Sequence, residues 1–206
     1  MPRFIQVFLS FILLIISSPL WLVISFSLIF SGPVLFRQQR IGKDNKPFTL
    51  YKFRTMKPVR QGSDSSDLHG TERITRIGKS LRKFSLDELP QLWNILLGDM
   101  NIIGPRPLPV EYLHRMSSEI KKRHLVYPGI TGWAQVNGRN ALSWEEKFGM
   151  DTWYVSHRSF RLDLRILIKT LPMIVTKKGV DQNEFQTMEE FKGDGSRKAD
   201  AVRNNA

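Results

Sequence analysis

The 206-residue sequence contains no cysteine and only four histidines. Without cysteine there are no disulfide bonds, thiolate zinc sites, iron–sulfur clusters or cysteine nucleophile, and this absence is typical of a reducing compartment. The histidines are never three to five residues apart, so no helical turn presents two imidazoles to one metal ion. P-loop, Gly-x-Gly-x-x-Gly and Asp-x-Asp motifs are also absent, which argues against P-loop nucleotide hydrolysis and a Rossmann dinucleotide site.

Negative charge is scarce in this chain. Lys and Arg number 31 against 19 Asp and Glu, which gives a formal net charge of +12. Such an excess of positive charge indicates an anionic partner, and nucleic acid, acidic lipid and a phosphorylated small molecule all fit at this point.

Ionisable side chains are missing altogether from the 33 residues between Arg3 and Arg37, so this segment belongs in or on a membrane. It is too long for the apolar core of a cleaved signal peptide. As a helix it would rise about 40 Å, enough to cross a bilayer, but Ser17, Ser18 and Pro19 lie at its midpoint. Residue physics alone leaves a kinked spanning helix and a re-entrant helix both open.

Basic residues follow the apolar segment closely, which predicts that its C-terminal flank is cytoplasmic. The remainder reads as one globular unit. Short β-prone runs at Val34–Gln39 and Phe48–Phe53 predict a hairpin, and residues 60–70 resemble a polar loop. Helical periodicity is present in the following segments: Thr75–Lys83, the stretch after Asp87, Val110–Leu125, Trp144–His157 and Leu162–Thr176. The last of these is amphipathic and basic, as expected of a helix on a membrane surface or of an ordinary core helix.

Two adjacent carboxylates, Asp87 and Glu88, lie where a helix is predicted to start. One interpretation is a capping box, with Ser85 as N-cap and Glu88 three residues later. The other is a catalytic pair, in which the positive end of the helix dipole keeps Asp87 ionised as a nucleophile while Glu88 holds a hard cation.

Several Gly- and Pro-framed loops each present one arginine. Arg82 precedes the acidic pair, Arg106 lies in Gly104-Pro105-Arg106-Pro107, and Arg139 follows Pro128–Gly132. Arginines on separate loops are well suited to bidentate recognition of a diphosphate, although a single surface arginine is usually only a solvated charge.

Four motifs occur in a fixed order, and together they resemble the bacterial monotopic phosphoglycosyl transferases over residues 1–180. They are Tyr51–Met56, Ser85–Gln91, Gly98–Met100 with Gly104–Pro107, and Pro128–Asn140. The chain is similar to the minimal form of that family, which carries a single catalytic domain.

The resemblance implies transfer of a sugar-1-phosphate from a UDP-sugar to a polyprenol phosphate such as undecaprenyl phosphate, with release of UMP, as the first membrane step of surface glycoconjugate synthesis. It implies that Asp87 is the nucleophile of a covalent aspartyl-phosphosugar intermediate and that Glu88 binds Mg²⁺. The substrate-binding residues it implies are Lys52, Arg82, Arg106, Arg139 and, in a supporting role, Asp163.

It further implies an α/β fold, mostly helical with a small β-hairpin, divided into a re-entrant membrane helix hairpin (1–36) and a cytoplasmic catalytic domain (37–180). The remaining segment (181–206) is predicted from its composition to be a largely disordered tail. Ser18 and Pro19 match the break that returns the helix to the cytoplasmic face of the inner membrane. Membrane lipids are then partners, nucleic acid is not, and a homodimer stays open. The rival hypotheses are a non-catalytic, membrane-anchored basic protein and a transferase that uses a direct ternary-complex mechanism.

Overall fold

The computed structural model describes residues 1–30, 32–57, 73–138, 141–176 and 190–193. The expected loop at 60–70 and Arg139 lie outside this part of the chain. Within it, helix α1 (Arg3–Ile29) is the single helix long and apolar enough to cross a membrane.

Helix α1 passes through Pro19 without interruption. The predicted membrane helix hairpin is therefore one continuous helix rather than two helices joined by a turn. Proline removes one backbone donor, and nearby serine hydroxyls compensate for it. The buried side chains of α1 lie towards its two ends, at Gln6 and Ser10 and again at Ile24 and Leu28. Most of its large apolar side chains are exposed.

The predicted β-hairpin, by contrast, is confirmed. Strands β1 (Leu35–Ile41) and β2 (Pro47–Phe53) pair antiparallel, with Phe36 opposite Lys52. The side chain of Asn94 extends the hydrogen bonding of β2, because its Nδ2 donates to the Thr49 carbonyl at 2.7 Å and its Oδ1 accepts from the Tyr51 amide at 3.1 Å. This buried amide fixes the following helix against the hairpin.

Helix α2 (Arg76–Lys83) is capped by the side chain of Thr75, which accepts from the Gly78 amide. A single 3₁₀ turn (Leu86–Glu88) follows, and then helix α3 (Gln91–Leu97), which ends at Gly98 with a positive φ of 96°. Apolar residues Leu92 and Ile95 of α3 pack beneath β2, and Val7 and Leu14 of α1 cover the same cluster.

Strands β3 (Asn101–Ile103) and β4 (Gly129–Thr131) form a short parallel pair. Gly104 and Gly129 approach so closely that a Cβ on Gly104 would lie 2.3 Å from the Tyr127 carbonyl oxygen, so glycine is required there. Gln6 of α1 accepts hydrogen bonds from the Ile102 and Ile103 amides at 3.0 and 3.2 Å, which ties the start of α1 to β3.

The prediction of one helix over Val110–Leu125 is wrong. The structure has a 3₁₀ segment (Val110–Arg115), helix α4 (Ser118–Lys121) and another 3₁₀ segment (Lys122–Leu125). The backbone of Met116 is extended and the Ser117 hydroxyl caps α4, so the chain restarts there.

Helices α5 (Trp133–Val136), α6 (Trp144–His157) and α7 (Phe160–Thr176) complete the fold. Ser143 and Glu146 form the capping box of α6. Ile166 and Leu162 of α7 pack in the core, whereas Leu164, Ile168 and Leu171 are exposed.

Residues 190–193, which the sequence placed in a disordered tail, pack on the domain. Phe191 is buried among Tyr112, Trp144 and Phe148, and Arg115 pairs with Glu190 at 2.6 Å. A single aromatic side chain thus anchors these four residues of a segment predicted to be largely disordered; the rest of 181–206 lies outside the described residues.

Candidate active site

The acidic pair lies in a tight turn between α2 and α3. Ser85 has a left-handed backbone with φ of 55°, and its side chain makes no cap hydrogen bond. The capping-box interpretation is therefore wrong. The left-handed residue instead turns the chain so that Asp87 and Glu88 occupy one 3₁₀ turn facing β2.

Glu88 is held by two cations from different parts of the fold. Its Oε1 accepts from Lys52 Nζ at 2.8 Å and from Arg106 Nη2 at 2.6 Å, while Oε2 has one longer contact of 3.5 Å to Arg106 Nη1. Burial acts to raise the pKa of Glu88, but the charges and hydrogen bonds of Arg106 and Lys52 outweigh it and hold the pKa well below its usual range. Glu88 is thus ionised at all physiological pH values.

Asp87 is buried and experiences opposing influences. Burial raises its pKa, and Glu88 adds to that effect, whereas Lys52, Arg82 and Arg106 favour the charged form. Within the described part of the chain no hydrogen bond reaches its carboxylate. The two adjacent carboxylates therefore differ, because Glu88 forms ion pairs with Lys52 and Arg106, whereas Asp87 keeps its lone pairs free near three cations.

Arg82 approaches the same site from α2. Its Nε donates to Thr55 Oγ1 at 2.9 Å, just beyond the end of β2. Burial lowers the pKa of Arg82, and the charge of Asp87 acts in the opposite direction. The structure thus brings together four of the predicted side chains besides Asp87: Lys52, Arg82, Glu88 and Arg106.

The loop that carries Arg106 is fixed through three successive carbonyl groups. The Pro105 carbonyl accepts from the Gly129 amide at 3.0 Å, the Arg106 carbonyl from Arg123 Nη2 at 2.8 Å, and the Pro107 carbonyl from Arg40 Nη1 at 3.4 Å. Such fixation orders the backbone from which the half-exposed Arg106 side chain reaches Glu88.

Arg123 is a residue that the sequence interpretation missed. It is almost fully buried and contacts Asp151 Oδ2 through Nε at 3.0 Å and through Nη2 at 2.6 Å. Its position in the basic run 121–123 gave the appearance of a solvated charge. The signal available was Asp151, a lone acid on the otherwise apolar face of α6 that also carries Phe148.

Arg40 was also missed. It lies near Arg106, and burial together with that neighbouring charge lowers the pKa of Arg40 to about 10. Its Nη2 donates to Gln38 Oε1 at 2.6 Å. Arg40 therefore adds positive charge close to Arg106.

Asp163 lies in a different environment. It is buried, accepts from Tyr154 Oη at 2.8 Å and pairs with the amino group of Met1. Its partners lie outside the cluster around Glu88, so a supporting role there would be indirect.

The donor set fits Mg²⁺ only together with a phosphate ligand. No group of three or more acidic or histidine side chains that could enclose a metal is present in the described residues. Glu88 Oε2 has only its long contact to Arg106, and Asp87 has unused lone pairs. One or two carboxylates completed by phosphate oxygens and water are the usual environment of Mg²⁺ in phosphoryl-transfer sites.

Asp87 and Glu88 thus lie near the side chains of Lys52, Arg82, Arg106 and Arg40, in the domain against which the apolar helix α1 packs. A family model described as bacterial sugar transferase matches residues 1–177. The chain belongs to the bacterial sugar transferase family.

Its relatives include the uncharacterized sugar transferase EpsL of Bacillus subtilis, 51% identical over 164 residues that cover 80% of this chain and 81% of that protein. The undecaprenyl-phosphate galactose phosphotransferase of Salmonella typhimurium is 34% identical over 87% of this chain and 41% of its own length. The UDP-glucose:undecaprenyl-phosphate glucose-1-phosphate transferase of Klebsiella pneumoniae is 39% identical over 82% of this chain and 39% of its own length. The chain thus spans about two fifths of the length of these two transferases.

Proposed function

We propose that this protein is a phosphoglycosyl transferase that moves a sugar-1-phosphate from a UDP-sugar to a polyprenol phosphate, with UMP as the leaving product. The observation that carries the proposal is the buried Asp87, without a hydrogen bond, beside a Glu88 that gathers Lys52 and Arg106. The names of the relatives, which act on undecaprenyl phosphate with galactose or glucose, support the same class of reaction.

In the first step an Asp87 carboxylate oxygen attacks the phosphorus that bears the sugar. A new P–O bond forms to Asp87, and the P–O bond to UMP breaks. Burial raises the pKa of Asp87 and so makes its ionised form more basic and more nucleophilic, while the neighbouring cations keep that form populated. In the second step the polyprenol phosphate attacks the same phosphorus, and the Asp87 carboxylate leaves unchanged.

Lys52, Arg82 and Arg106 bind the phosphate oxygens in this proposal. Lys52 and Arg106 converge on one carboxylate oxygen, so a phosphate bound beside Glu88 would meet both of them. Glu88 would hold Mg²⁺, which when bound neutralises charge on the diphosphate. The Arg106 side chain is half-exposed and has Glu88 as its hydrogen-bond partner, so its guanidinium can turn from Glu88 to the substrate while its backbone stays fixed.

The proposed membrane arrangement is monotopic, with α1 entering and leaving by the cytoplasmic leaflet of the inner membrane. Both ends of α1 contact the same domain. Arg3 donates to the Gly98 carbonyl at 2.7 Å at one end, and Ile24 and Leu28 pack with Leu81 at the other. A straight helix of this length would separate its ends by about 40 Å, across the whole bilayer core.

Helix α7 supports attachment to the membrane surface. Its exposed Leu164, Ile168 and Leu171 follow a helical spacing, and Arg165 and Lys169 lie near them on the same helix. An exposed apolar stripe flanked by cations suits the interface of an anionic membrane.

The test is release of UMP by the full chain in lipid nanodiscs, with a panel of UDP-sugars, with and without polyprenol phosphate. We expect lipid-dependent release that disappears in Asp87→Asn and on chelation of Mg²⁺. Glu119→Gln, which removes an exposed carboxylate from α4, is the matched control and should keep full activity.

Covalent chemistry is tested by incubating the protein with a UDP-sugar labelled in its β-phosphate and no acceptor. Label retained on the protein, and absent in Asp87→Asn, is the expected result. Turnover without retained label would favour the direct ternary-complex mechanism. No turnover with any sugar, together with salt-sensitive lipid binding that is indifferent to Asp87→Asn, would favour a non-catalytic basic protein.

A further inference from the structure

Two cations from distant parts of the chain meet at the ring of Tyr127. The guanidinium carbon of Arg3 lies 3.8 Å from the ring centroid, and Lys43 Nζ lies 5.1 Å from it. Arg3 belongs to the first turn of α1, and Lys43 follows β1 at the tip of the hairpin. The fold therefore concentrates positive charge at this ring.

Negative charge does not balance this pair. Among the described residues no carboxylate forms an ion pair with Arg3, whose Nη2 donates to the Gly98 carbonyl and whose Nη1 is buried without a hydrogen bond. Lys43 has only Asp44 at 3.9 Å, and both of those side chains are substantially exposed. Like charges held together in this way favour binding of an anion.

An apolar groove of about 750 Å³ begins at the same arginine. Besides Arg3, helix α1 lines this groove with Val7 and with three phenylalanines, Phe4, Phe8 and Phe11. Helix α3 contributes Leu96. The three phenylalanines are largely exposed. A groove with a cationic end and apolar walls is complementary to an amphiphile with an anionic head and a hydrocarbon chain.

We propose that Arg3 and Lys43, which meet at the ring of Tyr127, bind the phosphate headgroup of an anionic phospholipid, whose acyl chain lies in the groove between α1 and α3. The ligand is a structural membrane lipid, separate from the two substrates. The proposal rests on the membrane association proposed above but not on the chemistry at Asp87.

The position of the site distinguishes it from the acceptor subsite. Lys43 lies at the tip of the hairpin, whereas Lys52, which contacts Glu88, lies near the opposite end of β2. The five-residue separation from Pro47 to Lys52 corresponds to about 16 Å of strand. A phosphate bound at Tyr127 is therefore too far from Asp87 to attack a phosphosugar there.

The test is native mass spectrometry of the full chain in detergent, titrated with phosphatidylglycerol or with phosphatidylcholine of the same acyl chains. We expect tighter binding of phosphatidylglycerol and about fivefold weaker binding after Lys43→Gln, since one cation near an anionic lipid contributes roughly that factor. Lys46→Gln removes an exposed cation from the same hairpin and should leave the affinity unchanged. Arg3→Gln should weaken binding, and Arg3→Lys should restore most of it.

Equal binding of the two lipids, or equal effects of Lys43→Gln and Lys46→Gln, would overturn the proposal. Displacement of phosphatidylglycerol by glycerol phosphate alone would overturn the role of the groove. Loss of UMP release in Lys43→Gln, together with displacement by polyprenol phosphate, would show that this is the acceptor site instead. Failure of the unchanged protein to bind any lipid would contradict the membrane association itself, whereas loss of phosphatidylglycerol preference alone contradicts only this inference.

Discussion

The hydroxyl of Ser18 donates a hydrogen bond of 2.8 Å to the carbonyl oxygen of Ile15. This carbonyl is the one that Pro19, four residues further on, leaves without its usual backbone donor. Ser17 makes a longer contact of 3.4 Å to the Leu14 carbonyl. The exposed middle of α1 can therefore lie in a bilayer without an unsatisfied carbonyl, which water could not reach there.

We predict that both ends of α1 face the cytoplasm and that Pro19 maintains this arrangement. Because the chain has no cysteine, Pro2→Cys introduces a single thiol at the start of α1. A membrane-impermeant maleimide should not label this thiol in intact cells and should label it once the cells are permeabilised. The same result is expected for Asp44→Cys at the tip of the β-hairpin. Labelling of Pro2→Cys in intact cells would indicate a spanning helix. Adding Pro19→Leu, which restores the missing backbone donor and so favours a straight spanning helix, should move a fraction of the thiols to the outside.

A second prediction concerns Arg106, the cation that contacts both oxygens of Glu88. Arg106→Gln should lower kcat on the order of 10²-fold, as expected when one donor to a charged transition state is lost. Arg76→Gln on the exposed start of α2 is the control and should leave the rate of UMP release unchanged. An unchanged kcat with a raised KM would instead show that Arg106 serves only in substrate binding.

The sequence predicted those elements whose signals are local. The β-hairpin has β-prone runs around a turn-rich tip, and α6 has helical periodicity, so both were predicted correctly. The segment Val110–Leu125 was not, because its break at Met116 comes from the extended backbone and the Ser117 cap rather than from Gly or Pro.

The order of the motifs predicted residues that the structure brings together around Glu88, but it did not predict the residues that fix them in place. Lys52 and Arg106 contact Glu88 across 36 and 18 residues of sequence. Arg123 and Asp151 pair across 28 residues, and nothing local distinguishes that arginine from its exposed neighbours. In a sequence, a charged residue on an otherwise apolar helix face indicates a buried ion pair. Its partner can be identified only once the packing of the elements is known.

We predict that Arg123→Met destabilises the protein by about 3–5 kcal/mol, because it leaves the Asp151 carboxylate buried and unpaired. Chemical denaturation measures this change. Arg123→Met combined with Asp151→Leu removes both charges and should recover much of the loss. If the double variant were as unstable as the sum of the two single variants, the two side chains would not act as a pair.

Stability should also depend on pH through His124. Its Nδ1 lies 2.7 Å from Asn45 Oδ1 and its Nε2 faces the donor Arg123 Nη1, an arrangement that suits the neutral ring. Burial and the charges of Arg123 and Lys121 lower the pKa of His124 to about 3, from an ordinary 6.5. In the unfolded chain His124 therefore binds a proton below about pH 6.5, whereas in the folded chain it binds one only near pH 3.

The contribution of His124 to the free energy of unfolding is then constant above pH 6.5 and falls as the pH drops from 6.5 towards 3. Urea denaturation of the unchanged protein and of His124→Gln across this range isolates it, since all other titrating groups are common to both. The difference in unfolding free energy should change in that window. A difference independent of pH would show that His124 titrates alike in both states.

Finally, Phe191 should anchor the C-terminal segment to the domain. Its ring lies 5.1 Å from that of Phe148 and 5.6 Å from that of Trp144, and Arg115 Nη1 donates to its carbonyl at 2.9 Å. Phe191→Ala should cost about 3 kcal/mol in unfolding free energy and expose the segment to proteases. Lys192→Ala, at an exposed neighbouring position, should change neither the stability nor the protease sensitivity.

The Phe191→Ala substitution should also affect activity. Because Leu108 and Ile41 belong to the cluster around Phe191, next to the loop that carries Arg106, the rate of UMP release should fall in this variant. A protein that lost the anchor and kept both its stability and its rate would show that the segment contributes nothing to the site.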